Sequence, residues 1–381
     1  MPRRASVVVV GGGVIGTSIA FHLAEAGVAG VVLIERDQLG AGSTSKAAGG
    51  VRAQFSDELN IRLGARSLRA FAAFRDRPGG EIDFRQVGYL FLLSRPQDVA
   101  SFERSIELQN RFGVPSRLLD PAEARRLSPP VDTDGLLAAA FSPEDGLATP
   151  EAVVQGYAAG ARRHGAHVET GCELLEIRLR GNDIAAAVTS KGVVETPALV
   201  CAAGAWSRRV GAIAGVDLPV TPYRRQVLVT GPVPGLPERL PMTIDFATSY
   251  YFHQEGPGLL MGMSPEDEPP GFNLEADDAW IPRLGELIAR RTPSLAEVGV
   301  AGGWAGLYEV TPDHNALIGE ARKPARLLYA TGFSGHGFLQ GPAVGEVVRD
   351  LFLGRASPVD VSPLSVDRFH QGEGRPELNV V

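Results

Sequence analysis

The residues best placed for chemistry are two glycine clusters. Gly11-Gly12-Gly13-Val14-Ile15-Gly16 lies near the start of this 381-residue chain and Gly332-Phe333-Ser334-Gly335-His336-Gly337 near its end. Glycine costs more to order than any other residue, so each cluster implies a tight turn or a backbone that a ligand must approach. The first has G-x-G-x-x-G spacing, and an acid, Glu35, stands 19 residues after Gly16. That is the pattern of a dinucleotide site. Gly11 permits the turn, Gly13 lets a pyrophosphate reach the backbone, and Gly16 lets a helix pack on a strand. Val14 and Ile15 open that helix, whose N-terminus faces the phosphates. Glu35, followed by Arg36, would hold the ribose of an adenosine half. The bland alternative is a glycine-rich turn with no ligand.

The motif alone does not separate NAD from FAD. A nicotinamide domain would usually proceed to its next helix and strand, but this chain makes a loop of small and hydroxyl residues, Gly42-Ser43-Thr44-Ser45-Lys46-Ala47-Ala48-Gly49-Gly50. Ser43, Thr44 and Ser45 can donate to a second phosphate or a ribityl chain, and Ala48, Gly49 and Gly50 leave room beside it. A flexible loop without a ligand is the competing reading.

These residues need elements to position them. The β-branched run Val7-Val8-Val9-Val10 predicts a strand buried on both faces. Ile15, Ile19, Leu23 and Ala24 then recur on one helical face up to Gly27, and Val31-Val32-Leu33-Ile34 predicts a second strand. The late cluster is framed in the same way, by the strand Leu327–Thr331 and by a helix carrying Val344, Val347, Val348, Leu351 and Phe352 that stops at Gly354. Thr149-Pro150-Glu151 marks another helix start. Between these pieces, Tyr89–Leu93, Gln226–Val229 and Tyr250–His253 alternate like half-buried strands, which predicts an antiparallel sheet on the substrate side. Ser264–Gly271 is expected to be a solvated acidic loop.

Composition sets the outer bounds. The formal charge of −7 and pI near 5.6 argue against a nucleic-acid surface. Two cysteines, Cys172 and Cys201, cannot make a metal cage and are expected to be buried thiols, so no metal is expected. No apolar run reaches the ~18 residues of a membrane span. Met1-Pro2-Arg3-Arg4 leads straight into a strand, leaving no room for a signal peptide, so a cytoplasmic protein is expected.

The pieces "VVVVGGGVIGTSIAFHLAEAG", "GAGSTSKAAGGVRAQF", "EDGLATPEAVVQGYAAGARRHGAHV", "LVCAAGAWS", "WAGLYEVTPDHNALIG" and "TGFSGHGFLQGPAVG" run in order over nearly the whole chain. In them the sequence resembles the D-amino-acid-oxidase superfamily of FAD-dependent amine oxidoreductases, and within it the sarcosine oxidase and proline dehydrogenase β-subunit group. The resemblance implies an α/β fold: a Rossmann-like, glutathione-reductase-like FAD-binding domain with an inserted antiparallel-sheet substrate domain. The expected division is 1–85, 142–215 and 302–381 for the FAD-binding domain, with 86–141 and 216–301 for the substrate domain. It carries Val168, Ala203, Gly204, Trp206 and Gly306 over as further cofactor contacts, and it lays the Gly332–Gly337 turn against the flavin ring. Hydride arrival there leaves negative charge that free amides and a helix N-terminus stabilise, and side chains would block that approach.

The resemblance also nominates Arg52, Tyr251, Tyr308 and His336 for the reacting side. Arg52 could meet a substrate carboxylate, meet the flavin, or be a surface residue. Tyr251 is a ring roof or a core aromatic. His336 supports the cofactor, packs, or acts as an acid–base. Departures count as well. Gly306 stands where some relatives tether flavin through cysteine, so FAD is expected to be non-covalent. Leu339 and, more loosely, Leu260 stand where relatives place lysines for carboxylate binding and oxygen activation. The expected reaction is hydride transfer from a secondary or cyclic amine, an N-alkyl or imino acid, to flavin N5, giving an imine. A dehydrogenase is favoured over an oxidase, with a partner subunit or other electron acceptor. The alternatives are a flavoprotein acting on 2-hydroxy acids and a flavin-binding assembly factor or complex subunit.

Overall fold

The structure, a computed structural model, describes residues 1–265, 267–372 and 374–380. Its centre is a six-stranded sheet in the order Leu317–Glu320, Leu327–Thr331, Leu199–Cys201, Val7–Val10, Val31–Ile34, His167–Glu169, parallel except at the first pair. Alternate residues of the two apolar runs serve opposite faces. Val7, Val9, Val31 and Leu33 face the helices Val14–Glu25, Glu58–Ala72, Pro150–Arg163 and Gly337–Leu353. Val8, Val10, Val32 and Ile34 face a three-stranded antiparallel sheet made of Leu174–Arg180, Asp183–Thr189 and Gly192–Glu195. Apolar demand on both faces explains why these strands read as continuous hydrophobic runs.

A second sheet of eight strands runs in the order Val300–Val310, Thr221–Thr230, Gly258–Gly262, Tyr250–Glu255, Met242–Asp245, Tyr89–Leu93, Ala138–Ser142, Arg117–Leu119. The sequence led us to expect an antiparallel sheet. It is mixed, because Met242–Asp245 pairs with Tyr89–Leu93 in parallel. Pleating divides each strand between two faces. Leu90, Leu92, Tyr250, Phe252, Leu259 and Met261 form a core under the helix Ile281–Arg291, while Tyr89, Phe91, Met242, Ile244 and Tyr251 share the other face.

The boundary expected at residue 302 cuts through a strand. Val300–Val310 pairs along its whole length with Thr221–Thr230, so the eight-stranded sheet continues to Val310. Its glycines disguise it in the sequence; Gly303 has to be glycine because a Cβ there would lie 2.5 Å from the Val227 carbonyl oxygen. The acidic loop expected to be solvated is partly engaged. Glu268 pairs with Arg224 at 2.9 Å and Asp267 with Arg283 at 3.0 Å, while Glu266 lies outside the described residues.

Candidate active site

Both glycine clusters open onto one cavity of about 530 Å³ between the six- and eight-stranded sheets. Within the first cluster the glycines divide their tasks. Gly11 has φ +113, and a Cβ on it would overlap the Ala202 carbonyl; a Cβ on Gly16 would overlap the Gly11 carbonyl oxygen. Gly13 faces the cavity, and a Cβ there would meet only Thr44 Oγ1, at 3.1 Å. Thr44 Oγ1 accepts from the Val14 amide at 3.2 Å, tying the hydroxyl loop to the first turn of the helix.

The late cluster is built by the strand beside it. Glu309 is buried; its carboxylate accepts from the Phe333 amide at 3.3 Å and Thr331 Oγ1 at 3.4 Å, and its carbonyl accepts from Ser334 N at 3.0 Å. Ser334 Oγ in turn accepts from Thr311 N at 3.2 Å. Held in this way, Gly335, His336 and Gly337 turn to the cavity at the start of a helix of 17 residues.

Of the residues nominated from the sequence, Gly11, Gly13, Val14 and Ile15 line the cavity, as do Glu35, Arg36, Ser43 and Thr44. So do Ala48, Gly49, Gly50 and Arg52, then Ala203, Gly204 and Trp206, and finally Tyr251, Gly306, Tyr308, Gly335, His336 and Gly337. Six do not, each for a packing reason. Gly16 is a helix–strand contact, and Ser45 sits in a short turn with its amide on the Gly40 carbonyl. Val168 packs against the main core, and the chain reaches the cavity four residues later at Cys172–Leu175. Gly332 packs on Thr311, Phe333 is core, and Ser334 bonds within the loop.

One end of the cavity fits an adenosine. The Glu35 carboxylate accepts from the Gly12 amide at 2.7 Å and the Asp37 amide at 2.8 Å, and the Arg36 guanidinium stacks 4.0 Å above the Trp206 ring. Between the ends, Ser43 Oγ is buried without a protein partner, which suits an acceptor supplied by a ligand. Two helix N-termini, at Val14 and Gly337, open on the same space. A dinucleotide such as FAD matches this donor set.

The other end is aromatic. Tyr89, Tyr251 and Tyr308 come from three different strands, and each rests on a glycine of another segment. A Cβ on Gly50 would overlap the Tyr89 hydroxyl, one on Gly262 the Tyr251 hydroxyl, and one on Gly335 would lie 2.5 Å from the Tyr308 ring. Burial raises the pKa of all three phenols, so they stay protonated at neutral pH.

Arg52 is not a surface residue. It is 4% exposed; Nη1 donates to the Gln54 carbonyl, and Nη2 donates to the Asn379 carbonyl at 2.7 Å and to His336 Nε2 at 3.2 Å. Three of its five N–H donors are therefore engaged by the protein, which fixes the guanidinium in place on the cavity wall. Arginine has no acceptor, so His336 Nε2 must be the acceptor of that pair. Burial first, and the Arg52 charge second, hold His336 well below the usual imidazole range, neutral and with one lone pair already engaged. Glu377 secures the segment behind Arg52 by accepting from Ser56 N and Oγ and from Asn60 Nδ2 at 2.7–2.8 Å.

Sequence reasoning missed Tyr89, Arg225 and Lys46 as cavity residues, whereas Glu309, which follows Tyr308, was expected near the ring and does line the cavity. Lys46 carried a faint signal: it is one of only three lysines in the chain and lies inside the hydroxyl loop. Sequence reasoning also missed Asp145, which is fully buried and accepts from the Ala53 amide at 3.0 Å and Gln54 Nε2 at 3.3 Å, fixing the segment that follows Arg52. Burial pushes the Asp145 carboxyl up to about 7. An acid whose folded pKa is raised stabilises most below its unfolded pKa and loses that stabilisation as pH rises toward 7, at no more than about 1.4 kcal/mol per pH unit. Urea unfolding between pH 4.5 and 7.5 is thus expected to show Asp145→Asn gaining on the wild type as pH rises. A constant difference across that range would refute the assignment.

The family model for "DAO: FAD dependent oxidoreductase" matches residues 6–351. This chain belongs to that family. Within the DAO family, it is 30% identical to mitochondrial dimethylglycine dehydrogenase of Mus musculus over 96% of this chain and 44% of that protein. It is 31% identical to FAD-dependent oxidoreductase domain-containing protein 1 of Bos taurus, over 98% and 86% of the two chains. The chain thus spans less than half the length of the dimethylglycine dehydrogenase it matches. Among solved structures, L-proline dehydrogenase from P. horikoshii superposes with a TM-score of 0.92 at 34% identity, over 98% of this chain and all of that one. The chain is an FAD-dependent oxidoreductase domain with the DAO-family fold, an FAD-binding part joined to a substrate part.

Proposed function

We propose that this chain oxidises a secondary or cyclic amino acid, an N-alkyl or imino acid, to the corresponding imine, and does so as a dehydrogenase. Bound FAD would supply the acceptor for the hydride on the carbon next to nitrogen. The observation that carries this reading is an aromatic substrate wall without a free base. Tyr89, Tyr251 and Tyr308 are held protonated, and the His336 lone pair at Nε2 is engaged by Arg52. A neutral amine brings its own lone pair to assist loss of the hydride and needs no protein base. A 2-hydroxy acid must lose a hydroxyl proton, which neither the protonated phenols nor the engaged His336 Nε2 can take, and the Glu309 carboxylate on the same cavity is turned to the Phe333 amide and Thr331 Oγ1. The names of the dimethylglycine and L-proline dehydrogenases support the same class.

The residues divide the work. Glu35, Arg36 and Trp206 would hold the adenosine end, and Gly13, Ser43 and Thr44 would take the phosphates. The Gly335 and Gly337 amides and the helix end would face the ring, where they would stabilise negative charge; the His336 amide is taken by the Phe333 carbonyl at 2.9 Å. FAD is proposed to be held without a covalent bond. Gly306 carries no thiol, and Cys172 lines the opposite end, its amide on the Glu35 carbonyl. A further domain or partner subunit that takes the electrons is part of the proposal, as is a cytoplasmic setting, supported by the unbridged thiols of Cys172 and Cys201.

Anaerobic titration of the purified protein with proline, sarcosine, dimethylglycine and D-amino acids tests this. At least one of the secondary or tertiary amino acids is expected to bleach the flavin absorbance, with slow recovery in air. Bleaching by lactate and by none of the amines would reverse the assignment.

A further inference from the structure

The sequence places two arginines side by side, Arg224 and Arg225, on the strand Thr221–Thr230, and the pleat sends them to opposite faces. Arg224 is neutralised. It meets Glu268 at 2.9 Å and Asp277 at 2.5 Å and donates to the Glu275 carbonyl at 2.8 Å. Arg225 faces the cavity and meets no carboxylate within 4.0 Å among the described residues. Its Nη1 donates to the Arg224 carbonyl at 2.9 Å, and its Nε is buried with no partner. Its guanidinium lies 5.3 Å from the Tyr308 ring centre. Across the sheet its register partner is Gly306, so no side chain stands directly opposite it on that strand. Tyr251 lies over Gly262, which pairs with Val227 two residues along the same strand.

The other cavity cations are accounted for. Arg52 is committed to Asn379, Gln54 and His336; Arg36 stacks on Trp206 and Arg209 on Phe272 at the adenosine end; Lys46 is exposed. A part-buried guanidinium with an unpartnered donor, beside the Tyr308 ring and without a counter-charge, is a site for an anion that arrives with the ligand.

We propose that Arg225 anchors the carboxylate of the substrate, so that the cavity selects amino acids over the corresponding simple amines. This rests on the amine-oxidation reading for its substrate. The arginine's preference for a carboxylate can be read without turnover.

The test uses the flavin-loaded protein and two inert oxygen analogues, methoxyacetate for sarcosine and tetrahydro-2-furoate for proline. Binding is followed by perturbation of the flavin spectrum. At least one analogue is expected to bind the wild type and to weaken on the order of 10–100-fold in Arg225→Met, the loss typical of a charge-assisted contact. Arg225→Lys should fall between the two. In turnover, Arg225→Met should lower the preference for proline over pyrrolidine by a similar factor. Flavin content and melting temperature of both variants establish that they are folded and loaded. The proposal is overturned if both analogues bind Arg225→Met as they bind the wild type, if neither binds the wild type, or if Arg225→Met purifies without flavin. Analogue binding lost with Arg225 while no amine bleaches the flavin would keep the anchor and reject the reaction.

Discussion

Gly13→Val is expected to give a folded, soluble protein that carries less than about a tenth of the wild-type flavin, whereas Gly16→Val is expected to give little soluble protein at all. The two glycines belong to one motif and sit three residues apart, yet the space around them differs. Gly16 is inside a helix whose residues Val14–Ala24 are all buried, and a Cβ there would overlap the Gly11 carbonyl oxygen and lie 3.5 Å from Ala202 Cβ. The helix would have to move off the strand, against packing that touches the whole main core. Forcing atoms into a filled interior typically costs about 1–3 kcal/mol even where side chains can yield, and a backbone carbonyl yields less. Gly13 has φ −76, a value any residue adopts, and the nearest atom to its Cβ is Thr44 Oγ1 at 3.1 Å. Its side chain would enter the cavity, where the phosphates of a dinucleotide have to approach the backbone. The loss is therefore one of binding. The melting temperature of Gly13→Val should match that of wild type stripped of flavin, and added FAD should raise only the wild type. A yellow Gly13→Val protein, or one that melts far below the stripped wild type, would contradict the division of labour drawn for the motif.

The same contrast explains what the sequence discloses. The strands Val7–Val10 and Val31–Ile34, the helix between them and the helix after Gly337 were legible because each is bounded by its own local signal: a β-branched run, a helical repeat, a glycine stop. Gly27 and Gly354 do end their helices in left-handed geometry, at φ +85 and +64. The strand Val300–Val310 was not legible as part of the second sheet, because its evidence is pairwise. Gly303 is glycine on account of the Val227 carbonyl on the strand beside it, and Gly306 on account of Lys46 in the hydroxyl loop. The aromatic wall is hidden for the same reason. Tyr89, Tyr251 and Tyr308 lie far apart in sequence, and the features that seat them are glycines at 50, 262 and 335 on other segments. Arg52 shows the limit most plainly. Its position in the motif pointed to the cavity, but the Asn379 carbonyl that takes its Nη2 is 327 residues away. Arg224 and Arg225 stand between these cases. Strand alternation separates the two by inspection, while only the fold reveals which one was given carboxylates.

Removing the buried partner of Asp313 is expected to be strongly destabilising. Arg368 is 3% exposed and Asp313 6%. They form a two-pronged pair, Nε to Oδ2 at 2.8 Å and Nη2 to Oδ1 at 2.9 Å, and Arg368 also donates to the carbonyls of Asn315 at 2.9 Å and Leu364 at 2.8 Å. Asp313 accepts in addition from the Asn315 and Arg375 amides, both at 3.1 Å. Arg368→Met strands a buried carboxylate and at least two carbonyls. Breaking a buried pair on one side costs about 3–5 kcal/mol, which for a chain of this size lowers the melting temperature by roughly 4–6 °C. The damage should also reach the site. Asp313 follows directly on the strand that carries Tyr308 and Glu309, and through Arg375 it holds the segment whose Glu377 and Asn379 back up Arg52. Flavin affinity is accordingly expected to fall together with stability. The double variant Asp313→Ala with Arg368→Met separates the cost of an orphaned charge from the worth of the pair. If the charge is the main cost, the double variant will be more stable than Arg368→Met alone, because it no longer buries an unpaired carboxylate. A double variant whose melting temperature drops by the sum of the two single losses would show instead that each residue acts through its own backbone contacts and that the pair itself contributes little.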